Sequence, residues 1–430
     1  MVQPTGGRFA NAGGMPLLCR ALRPGRQSRI LMIKNLKLGL FGFGVVGKGL
    51  YHVLEGTKGL KAEILKICVK DPAKPRPLPG HYFTFDRNDI LENPEVNVVV
   101  EMINDPAAAY EIVTAALRKG KAVVTANKTL VADNIRELHR LQEEYKAPLL
   151  YEASSCASIP IIRNLEEYYD NDTLNAVEGI FNGSTNYILS RIFSGEKNFT
   201  EALREAQELG FAELDPSLDV EGHDPKYKLC IILAHAFGFF VRPEEVFHYG
   251  IQNISDFDVR IAREKGYKIK LMAKSRKTGN KVMAYVMPQF VNDESELYKV
   301  EREFNGVIVE GAFSEHQFFV GKGAGGHPTG SAVLSDISAL TYDYKYEYKK
   351  LNQNLGYELA LDFEVQIYLR YPKSHPVDTG IFKRVMEEYR TPEECYIVGT
   401  IDFRNLREAP WIKRRDVNMI LTSKQPGDNG

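Results

Sequence analysis

LGLFGFGVVGKGL, residues 38–50, is an apolar run that passes into a glycine cluster and then into a helix-like segment. Gly42, Gly44 and Gly47 have the spacing G-x-G-x-x-G, directly after a predicted strand and at the start of a predicted helix. In that context the first glycine permits a tight turn, the second lets the backbone approach a pyrophosphate, and the third allows close helix packing. Because the N–H groups at a helix start also attract phosphate, we predict a dinucleotide-binding turn.

The same alternation of strand and helix continues towards residue 158. The segments are predicted strands at 64–69, 96–102 and 122–125 and predicted helices at 107–119 and 134–145. Strands separated by helices of this length imply a parallel sheet that is covered on both faces. We therefore predict an α/β fold with a Rossmann-type parallel-sheet domain at 34–158.

A different pattern follows, which predicts a second domain at 159–320 and a third module at 351–430. The second domain has predicted helices at 202–209 and 226–239 and predicted strands at 281–287 and 306–309. A glycine-dense loop and helix at 321–350 should return to the first domain, and the tyrosine-rich segment 342–348 within it is predicted to be a linker. The last module is predicted as strand, helix and strand at 364–371, 380–389 and 395–401. Both regions should be α+β in character.

Composition excludes several classes of partner. The 430 residues carry 55 basic and 56 acidic side chains, so the net charge of -1 gives no general attraction to nucleic acid or to an anionic membrane. No apolar stretch reaches the roughly 18 residues that a membrane-spanning helix needs. Five scattered cysteines without a CxxC pair argue against disulfides and structural zinc, and they favour the cytoplasm. Residues 1–33, arginine-rich and free of acidic residues, are interpreted as a disordered or non-native leader.

The end of the second predicted strand carries conflicting signals for the cofactor. Asp71 would suit the ribose hydroxyl of NAD, whereas Lys70 with Lys74 or Arg76 would pair with the 2′-phosphate of NADP. Both cofactors stay open, with NADP slightly preferred.

Two lysines and an acidic run are the candidate substrate site. Lys128 follows a short strand and should stand at the carboxyl edge of the sheet, where open α/β sheets hold ligands. The run from Glu213 to Lys228 holds five carboxylates, Glu213 included, and two lysines, and Asp224 and Lys228 are four residues apart at a predicted helix start. Carboxylates suit a substrate with an ammonium group, and a lysine beside them can relay a proton.

Together these motifs resemble the homoserine dehydrogenases. The resemblance runs from about residue 36 to 345 and includes the glycine turn, Thr125-Ala126-Asn127-Lys128, Tyr151-Glu152-Ala153, Asn182-Gly183-Ser184-Thr185, the acidic run, and Gly323-Ala324-Gly325. It departs from the family at Ser154–Ser158 and at Asn104-Asp105, where glycines are usual. The resemblance implies NAD(P)-dependent oxidation of L-homoserine to L-aspartate 4-semialdehyde by a homodimer or higher homo-oligomer.

The resemblance also implies roles for individual residues. Lys228, Lys128 and Asp224 are the expected catalytic residues, with Lys228 as the proton relay. The expected substrate contacts are Glu213, Asp219, Asp224, Gly183, Thr185 and Lys128. The expected cofactor contacts are Gly42, Gly44, Val45, Val46, Gly47, Lys70, Asn104, Lys128 and Gly325. A sodium ion is expected on backbone carbonyls of Glu152, Ser155, Ala157 and Ile159.

Other interpretations remain open at this point. Cys156 could be the nucleophile of a semialdehyde dehydrogenase that forms a thioester, although no histidine lies in a recognisable partner motif. A noncatalytic nucleotide-binding regulator is a third possibility. Residues 352–430 weakly resemble an ACT-type regulatory module, so they either bind an amino-acid effector or are purely structural or dimer-forming.

Overall fold

The computed structural model describes residues 35–195 and 197–425, so the leader interpreted at 1–33 lies outside the described residues. The strands are β1 (Leu36–Phe41), β2 (Ala62–Cys68), β3 (Phe83–Thr84), β4 (Val98–Glu101), β5 (Ala122–Thr125), β6 (Leu149–Leu150), β7 (Leu174–Ile180), β8 (Phe247–His248), β9 (Lys268–Thr278), β10 (Lys281–Val291), β11 (Phe304–Gly311), β12 (His316–Lys322), β13 (Glu358–Leu359), β14 (Glu364–Pro372), β15 (Phe382–Arg390), β16 (Glu394–Asp402) and β17 (Asn418–Leu421). The helices are α1 (Val45–Gly56), α2 (Asn88–Leu91), α3 (Pro106–Arg118), α4 (Lys128–Tyr145), α5 (Ile161–Glu167), α6 (Gly183–Phe193), α7 (Phe199–Glu208), α8 (Ser217–Val220), α9 (His223–Phe237), α10 (Asp256–Glu264), α11 (Gly326–Ala339), α12 (Lys349–Asn352) and α13 (Phe403–Glu408). Short 3-10 helices span Gly80–Tyr82, Glu152–Ser154, Glu296–Lys299, Leu340–Tyr342 and Pro410–Lys413.

The first sheet has six parallel strands in the order β3-β2-β1-β4-β5-β6. Its central strands are continuous apolar runs, and Leu38, Leu40, Val99 and Val100 are fully buried. Such runs are required where helices cover both faces of a sheet. The strand order reverses beside β1, which is where doubly wound sheets open a crevice for a ligand.

The second sheet has eleven strands and runs β12-β11-β7-β9-β10-β17-β14-β16-β15, with β8 and β13 also paired to β10. Neighbours along this path are antiparallel except at the junction of β10 with β17. The buried helix α9 packs on β7, β9 and β10. The α/β prediction, a Rossmann-type sheet followed by α+β regions, is confirmed.

The carboxyl-terminal segment contributes the strand order β15-β16-β14-β17, with α13 before the last strand. The prediction of a helix at 380–389 is wrong, because Phe382–Arg390 is strand β15. Among the described strands it pairs with β16 alone, and most of its side chains are exposed, so it lacks the apolar alternation that marks a half-buried strand. The expected helix between the first two strands of this segment is therefore missing, since residues 373–381 contain neither helix nor strand.

The tyrosine-rich segment 342–348, predicted to be a linker, buries two of its tyrosines. Tyr346 and Tyr348 are 0% and 2% exposed. The Tyr346 carbonyl accepts a hydrogen bond of 3.0 Å from Gln142 on α4, and the Tyr348 hydroxyl bonds to that of Tyr151. Aromatic rings with polar tips can be buried when those tips find partners, which composition alone does not reveal.

None of the described helices is both long enough and apolar enough to cross a bilayer.

Candidate active site

The glycine turn joins β1 to α1 at the carboxyl edge of the first sheet. Gly42 has φ of +96°, and a Cβ there would lie 2.8 Å from the Met102 carbonyl oxygen, so only glycine fits. A Cβ on Gly44 would meet nothing within 4 Å, and no side chain caps α1 at this residue. The first N–H groups of α1, at Val45 and Val46, therefore have no side-chain cap and begin the helix in a position suited to phosphate.

A second glycine segment packs against this turn. A Cβ on Gly49 would come within 1.9 Å of the Gly326 carbonyl oxygen, and one on Gly330 within 2.5 Å of the Leu50 amide nitrogen. Helices α1 and α11 can approach this closely only without side chains between them. Gly325, with φ of +117°, is the N-cap residue directly before α11, so the structure brings it beside the dinucleotide turn.

The end of β2 leaves its charged side chains in solvent. Lys70 is exposed and forms no side-chain hydrogen bond or ion pair with the described residues. The Asp71 carboxylate instead accepts from the Ala73 amide at 2.8 Å, while the Arg76 guanidinium lies 5.1 Å from the ring of Phe83. Lys70 and Lys74 are thus the two cations of this group whose ammonium groups have no partner among the described residues.

At the end of β4, Asn104 is exposed and Asp105 has a structural explanation. Asp105 caps α3 by accepting from the amides of Ala107 and Ala108 at 3.1 Å. The departure from the family at this position therefore builds a helix start.

Lys128 is placed by two residues that precede it. The Asn127 side chain accepts from the Leu130 amide at 2.9 Å and caps α4, while its amide group donates to the Ile103 carbonyl at 3.1 Å. Behind it, the fully buried Glu101 accepts hydrogen bonds from the Thr125 hydroxyl and the Ile103 amide. Burial raises the pKa of Glu101 to about 7. This network fixes Lys128 as the first residue of α4.

Lys128 and Lys228 meet on one carboxylate, although 100 residues separate them in sequence. Lys128 Nζ lies 2.5 Å from Asp224 Oδ1, and Lys228 Nζ lies 2.8 Å from Asp224 Oδ2. Lys228 also donates to the Phe181 carbonyl at 2.7 Å. Asp224 and Lys228 are 1% and 6% exposed, whereas the Lys128 side chain is 37% exposed. The three side chains form a charge cluster that one edge opens to solvent.

Asn182 is a site residue to which sequence reasoning assigned no role. Its amide nitrogen donates to Asp219 at 2.7 Å and to Asp224 at 2.8 Å. Its amide oxygen accepts from the backbone and the hydroxyl of Thr185, both at 2.8 Å, and so caps α6. The signal that could have found it is the N-cap pattern of an asparagine directly before a helix. Asn182 links the two carboxylates to the start of α6.

The charges in this cluster shift one another. Burial alone would raise the pKa of Asp224, but the ammonium groups of Lys128 and Lys228 hold it well below its usual value. Burial and the neighbouring Asp224 raise the pKa of Asp219. Burial alone would lower the pKa of Lys128, but Asp224 raises it overall, so Lys128 stays protonated at neutral pH.

The remaining predicted substrate residues surround this cluster unequally. Gly183 and Thr185 lie in the first turn of α6, next to Asn182, and the Thr185 side chain is fully buried. A Cβ on Gly183 would be 2.6 Å from the Glu303 carbonyl oxygen. Glu213 lies on an exposed loop, from which its charge acts on Lys128.

Residues 151–159 connect strand β6 of the first sheet to helix α5, and all of them except Ser158 are buried. The Glu152 carboxylate accepts from the amides of Ile162 and Arg163 at 2.9 and 2.8 Å, and burial raises its pKa to about 7. Ser155 Oγ is buried without a hydrogen-bond partner among the described residues, and Ala157 has φ of +46°. No group of three or more His, Cys, Asp or Glu side chains in the described ranges has metal-site geometry. Any ion in this loop would therefore depend on backbone and hydroxyl oxygens.

Cys156 lies in the same loop and is fully buried. Burial raises the pKa of its thiol to about 12. A nucleophilic cysteine needs an accessible thiolate, so the thioester mechanism is not favoured.

Two family models match the chain. The model described as homoserine dehydrogenase, NAD binding domain, matches residues 42–152, and the model described as homoserine dehydrogenase matches residues 160–338. These matches include the glycine turn and the lysine–aspartate cluster.

Curated and solved proteins agree with the family models. The homoserine dehydrogenase of Bacillus subtilis is 37% identical over 317 residues, covering 72% of this chain and 73% of its own length. That of Helicobacter pylori is 35% identical over 334 residues, covering 76% and 77%. The crystal structure of a homoserine dehydrogenase from Thiobacillus denitrificans has a TM-score of 0.79 and 28% identity, covering 90% of this chain and 98% of that one. A hyperthermophilic archaeal homoserine dehydrogenase mutant in complex with NADPH has a TM-score of 0.63 and 26% identity, covering 73% and 99%.

Proposed function

The chain belongs to the homoserine dehydrogenase family, and from this premise we propose how its residues divide the reaction. The activity is the NAD(P)-dependent interconversion of L-homoserine and L-aspartate 4-semialdehyde, a step in threonine and methionine biosynthesis. Lys228, Lys128 and Asp224 are the proposed catalytic residues. The observation that carries this proposal is the single buried carboxylate that holds both ammonium groups.

The two lysines have different roles in this proposal. Lys128, whose pKa is raised, stays charged and orients the substrate hydroxyl by attracting its oxygen. Lys228, which is buried and held by the Phe181 carbonyl, is the proton relay: its ammonium group releases a proton to solvent, and the neutral amine then takes the hydroxyl proton directly or through water. In the reverse direction the same nitrogen returns the proton to the aldehyde oxygen. Asp224 keeps both nitrogens in place throughout.

Binding of the amino-acid part of the substrate is assigned to the acidic residues. Asp219 and Asp224 lie close enough to share the Asn182 amide, and Glu213 acts from the exposed loop. Carboxylates on this side suit the substrate ammonium group. Gly183 and Thr185 are proposed to line the pocket from the first turn of α6.

The glycine turn fits a nicotinamide dinucleotide, which accepts the hydride from C4 of homoserine when it is bound. Open space above Gly44 and the uncapped start of α1 support pyrophosphate binding at Gly42, Gly44, Val45, Val46 and Gly47. The other proposed cofactor contacts are Lys70, Asn104, Lys128 and Gly325.

We propose a preference for NADP over NAD. The exposed, unpaired Lys70 supports it, because Asp71 has its carboxylate engaged in a turn. The NADPH-bound relative is consistent with this preference.

A sodium ion is proposed in the loop that contains Glu152, Ser155, Ala157 and Ile159. The buried Ser155 hydroxyl supports it, because it has no hydrogen-bond partner among the described residues, and Ala157 adds a left-handed backbone conformation of the kind that is found at ligand-binding loops. The ion would fix the loop between the first sheet and α5.

The wider organisation is proposed as follows. Residues 34–158 bind the dinucleotide, 159–320 bind substrate and form a homodimer or higher oligomer, 321–350 return to the nucleotide-binding domain, and 351–430 form an ACT-like module for an amino-acid effector. The close packing of α11 on α1 supports the third assignment. Four free, scattered cysteines among the described residues support a cytoplasmic location.

The test is a spectrophotometric assay of homoserine oxidation with NADP and NAD in turn. We expect Lys228→Met to bind cofactor as the unchanged chain does and to lose at least about a hundredfold in kcat, within the usual range for a lost proton relay. Lys270→Met is the matched control, because Lys270 is also buried but bonds to Asn186 and Val300 outside the cluster. It should lower stability while kcat is kept. Equal kcat in the two variants would contradict the assignment of Lys228.

A further inference from the structure

A cleft of about 790 Å³ lies between helix α9 and the carboxyl-terminal segment. Its volume is in the range of small-ligand sites. Its walls include Phe247 and Tyr249 from the segment after α9, and Arg407 and Ile412 from the carboxyl-terminal segment. None of the residues proposed to hold homoserine or the dinucleotide lines it. The cleft is therefore separate from the active site.

Charge in the cleft is unbalanced. Its charged lining residues are the cations Lys226, Arg407, Lys413 and Arg415 and the acids Glu221 and Glu244. No side-chain hydrogen bond or ion pair joins any of the four cations to a described residue. The lining thus carries an excess of two positive charges.

Lys226 is the unusual member of this set. Lys226 is 7% exposed, and its ammonium group lies 5.5 Å from the ring of Tyr227 without a hydrogen bond or ion pair to a described residue. Burial lowers the pKa of Lys226, and nearby Glu244 and Asp133 partly offset that effect. An ammonium group on a largely buried side chain has few waters around it, so it gains more from an anion in the cleft than an exposed ammonium group does.

We propose that the cleft binds a small dianion, either a phosphoryl group or a dicarboxylate, through Lys226 and the three cations of the carboxyl-terminal segment. A dianion matches the excess charge and gives Lys226 the partner that it lacks. The neighbouring His248 adds no charge, because burial and Lys226 lower its pKa to about 3.

The cleft is connected to the active site by short contacts. Lys226 lies between Asp224 and Lys228 on the first turns of α9. The Ile251 amide donates to the Val220 carbonyl at 2.7 Å, and Asn253 donates to the Arg414 carbonyl at 3.1 Å. Val220 follows Asp219, so a ligand that draws the two walls together acts on the substrate carboxylates. This consequence, a changed KM for homoserine, depends on the function proposed above.

Isothermal titration calorimetry on the full chain tests the site, with inorganic phosphate and succinate as separate probes. We expect saturable binding of at least one probe, and the tighter one identifies the source of the dianion. Lys226→Met should weaken it about tenfold, the value of one charge-assisted hydrogen bond. Arg407→Gln, at a more exposed position, should weaken it by about threefold and serves if Lys226→Met does not fold.

Arg384→Gln is the matched control, since Arg384 is an exposed cation of strand β15 that does not line the cleft. Absence of saturable binding of both probes, or equal weakening by Arg384→Gln, would overturn the proposal. Saturable binding with an unchanged homoserine KM would overturn the connection to the active site. Homoserine turnover in probe-free buffer is measured in parallel, because its absence would count against the proposed catalytic roles and not against the site.

Discussion

Replacing Asp224 with asparagine removes the charge that holds two ammonium groups and leaves the shape of the side chain nearly unchanged. Both oxygens are engaged, one by Lys128 at 2.5 Å and the other by Lys228 at 2.8 Å. The carboxylate is 1% exposed, so water cannot replace it. The variant therefore tests whether the cluster works as one unit.

The size of the effect follows from the burial of the partners. Breaking a buried ion pair costs roughly 3–5 kcal/mol, and unit charges 4 Å apart attract by about 4 kcal/mol at an effective dielectric of 20. The pair with Lys128 contributes less, because that side chain is 37% exposed and solvent screens it. We therefore expect Asp224→Asn to lose about 3 kcal/mol of transition-state stabilisation, which corresponds to a decrease of about a hundredfold in kcat/KM for homoserine.

The pH dependence should change as well. Asp224 raises the pKa of Lys128, so its removal lets Lys128 lose its proton at lower pH. In the unchanged chain the depressed pKa of Asp224 increases the free energy of unfolding at pH values above the pKa that this group has in the unfolded chain. That increase is lost as the pH falls through the pKa of Asp224 in the folded chain. The stability difference between Asp224→Asn and the unchanged chain should therefore shrink on acidification.

The assay is homoserine-dependent reduction of NADP across a range of pH, with thermal unfolding measured alongside. Asp215→Asn is the matched control, because Asp215 lies in the same acidic run but is exposed and bonds only to Ser217. It should stay within about twofold of the unchanged chain. If Asp224→Asn and Asp215→Asn have the same kcat/KM, the cluster is not the reacting centre.

Three further changes test other parts of the structure. Burial raises the pKa of Glu101 from 4.5 to about 7, so ionisation of this carboxyl group lowers the free energy of unfolding by up to about 3 kcal/mol as the pH rises between these values. In urea unfolding, the stability of Glu101→Gln relative to the unchanged chain should therefore be greater near pH 8 than near pH 5. Gly49→Ala puts a methyl group against the Gly326 carbonyl oxygen and should lower Tm by the equivalent of about 1–3 kcal/mol. The control Gly56→Ala, whose methyl group meets nothing within 4 Å, should not lower Tm. Equal Tm values for the two variants would contradict the close packing of α1 and α11. Asn182→Ser keeps a helix cap but loses the two amide hydrogen bonds to Asp219 and Asp224, so kcat/KM for homoserine should fall by about tenfold or more while Tm changes little. An unchanged kcat/KM would show that these hydrogen bonds do not position the carboxylates.

The sequence predicted the parts of the fold whose signals are local. The glycine turn, the apolar strands of the first sheet and the helix start near Asp224 depend on residues within one or two turns of each other. The candidate lysines were identified partly by position and partly by resemblance. Their convergence on one carboxylate could not be predicted, because it depends on packing between residue 128 and the start of α9.

The failures have physical causes of the same kind. Strand β15 is an edge strand with exposed faces, so tertiary pairing overrides a pattern that looked helical. Tyr346 and Tyr348 are buried because their hydroxyl groups find partners far away in sequence, at residue 151. Asn182 escaped a role because a capping residue and a site residue have the same local signature.

The carboxyl-terminal segment shows why its role cannot be tested by cutting the chain near residue 352. Strand β17 pairs with β10 of the substrate-binding sheet, and the buried Asp258 of α10 accepts hydrogen bonds from Tyr368, Arg370 and Asn418. Truncation would expose the edge of β10 and leave the Asp258 carboxylate buried without these partners, which costs several kcal/mol. Activity would then fall whether or not the segment binds an effector. Exchanges at single residues of the cleft leave these contacts intact, so a change in effector response can be separated from a loss of the fold.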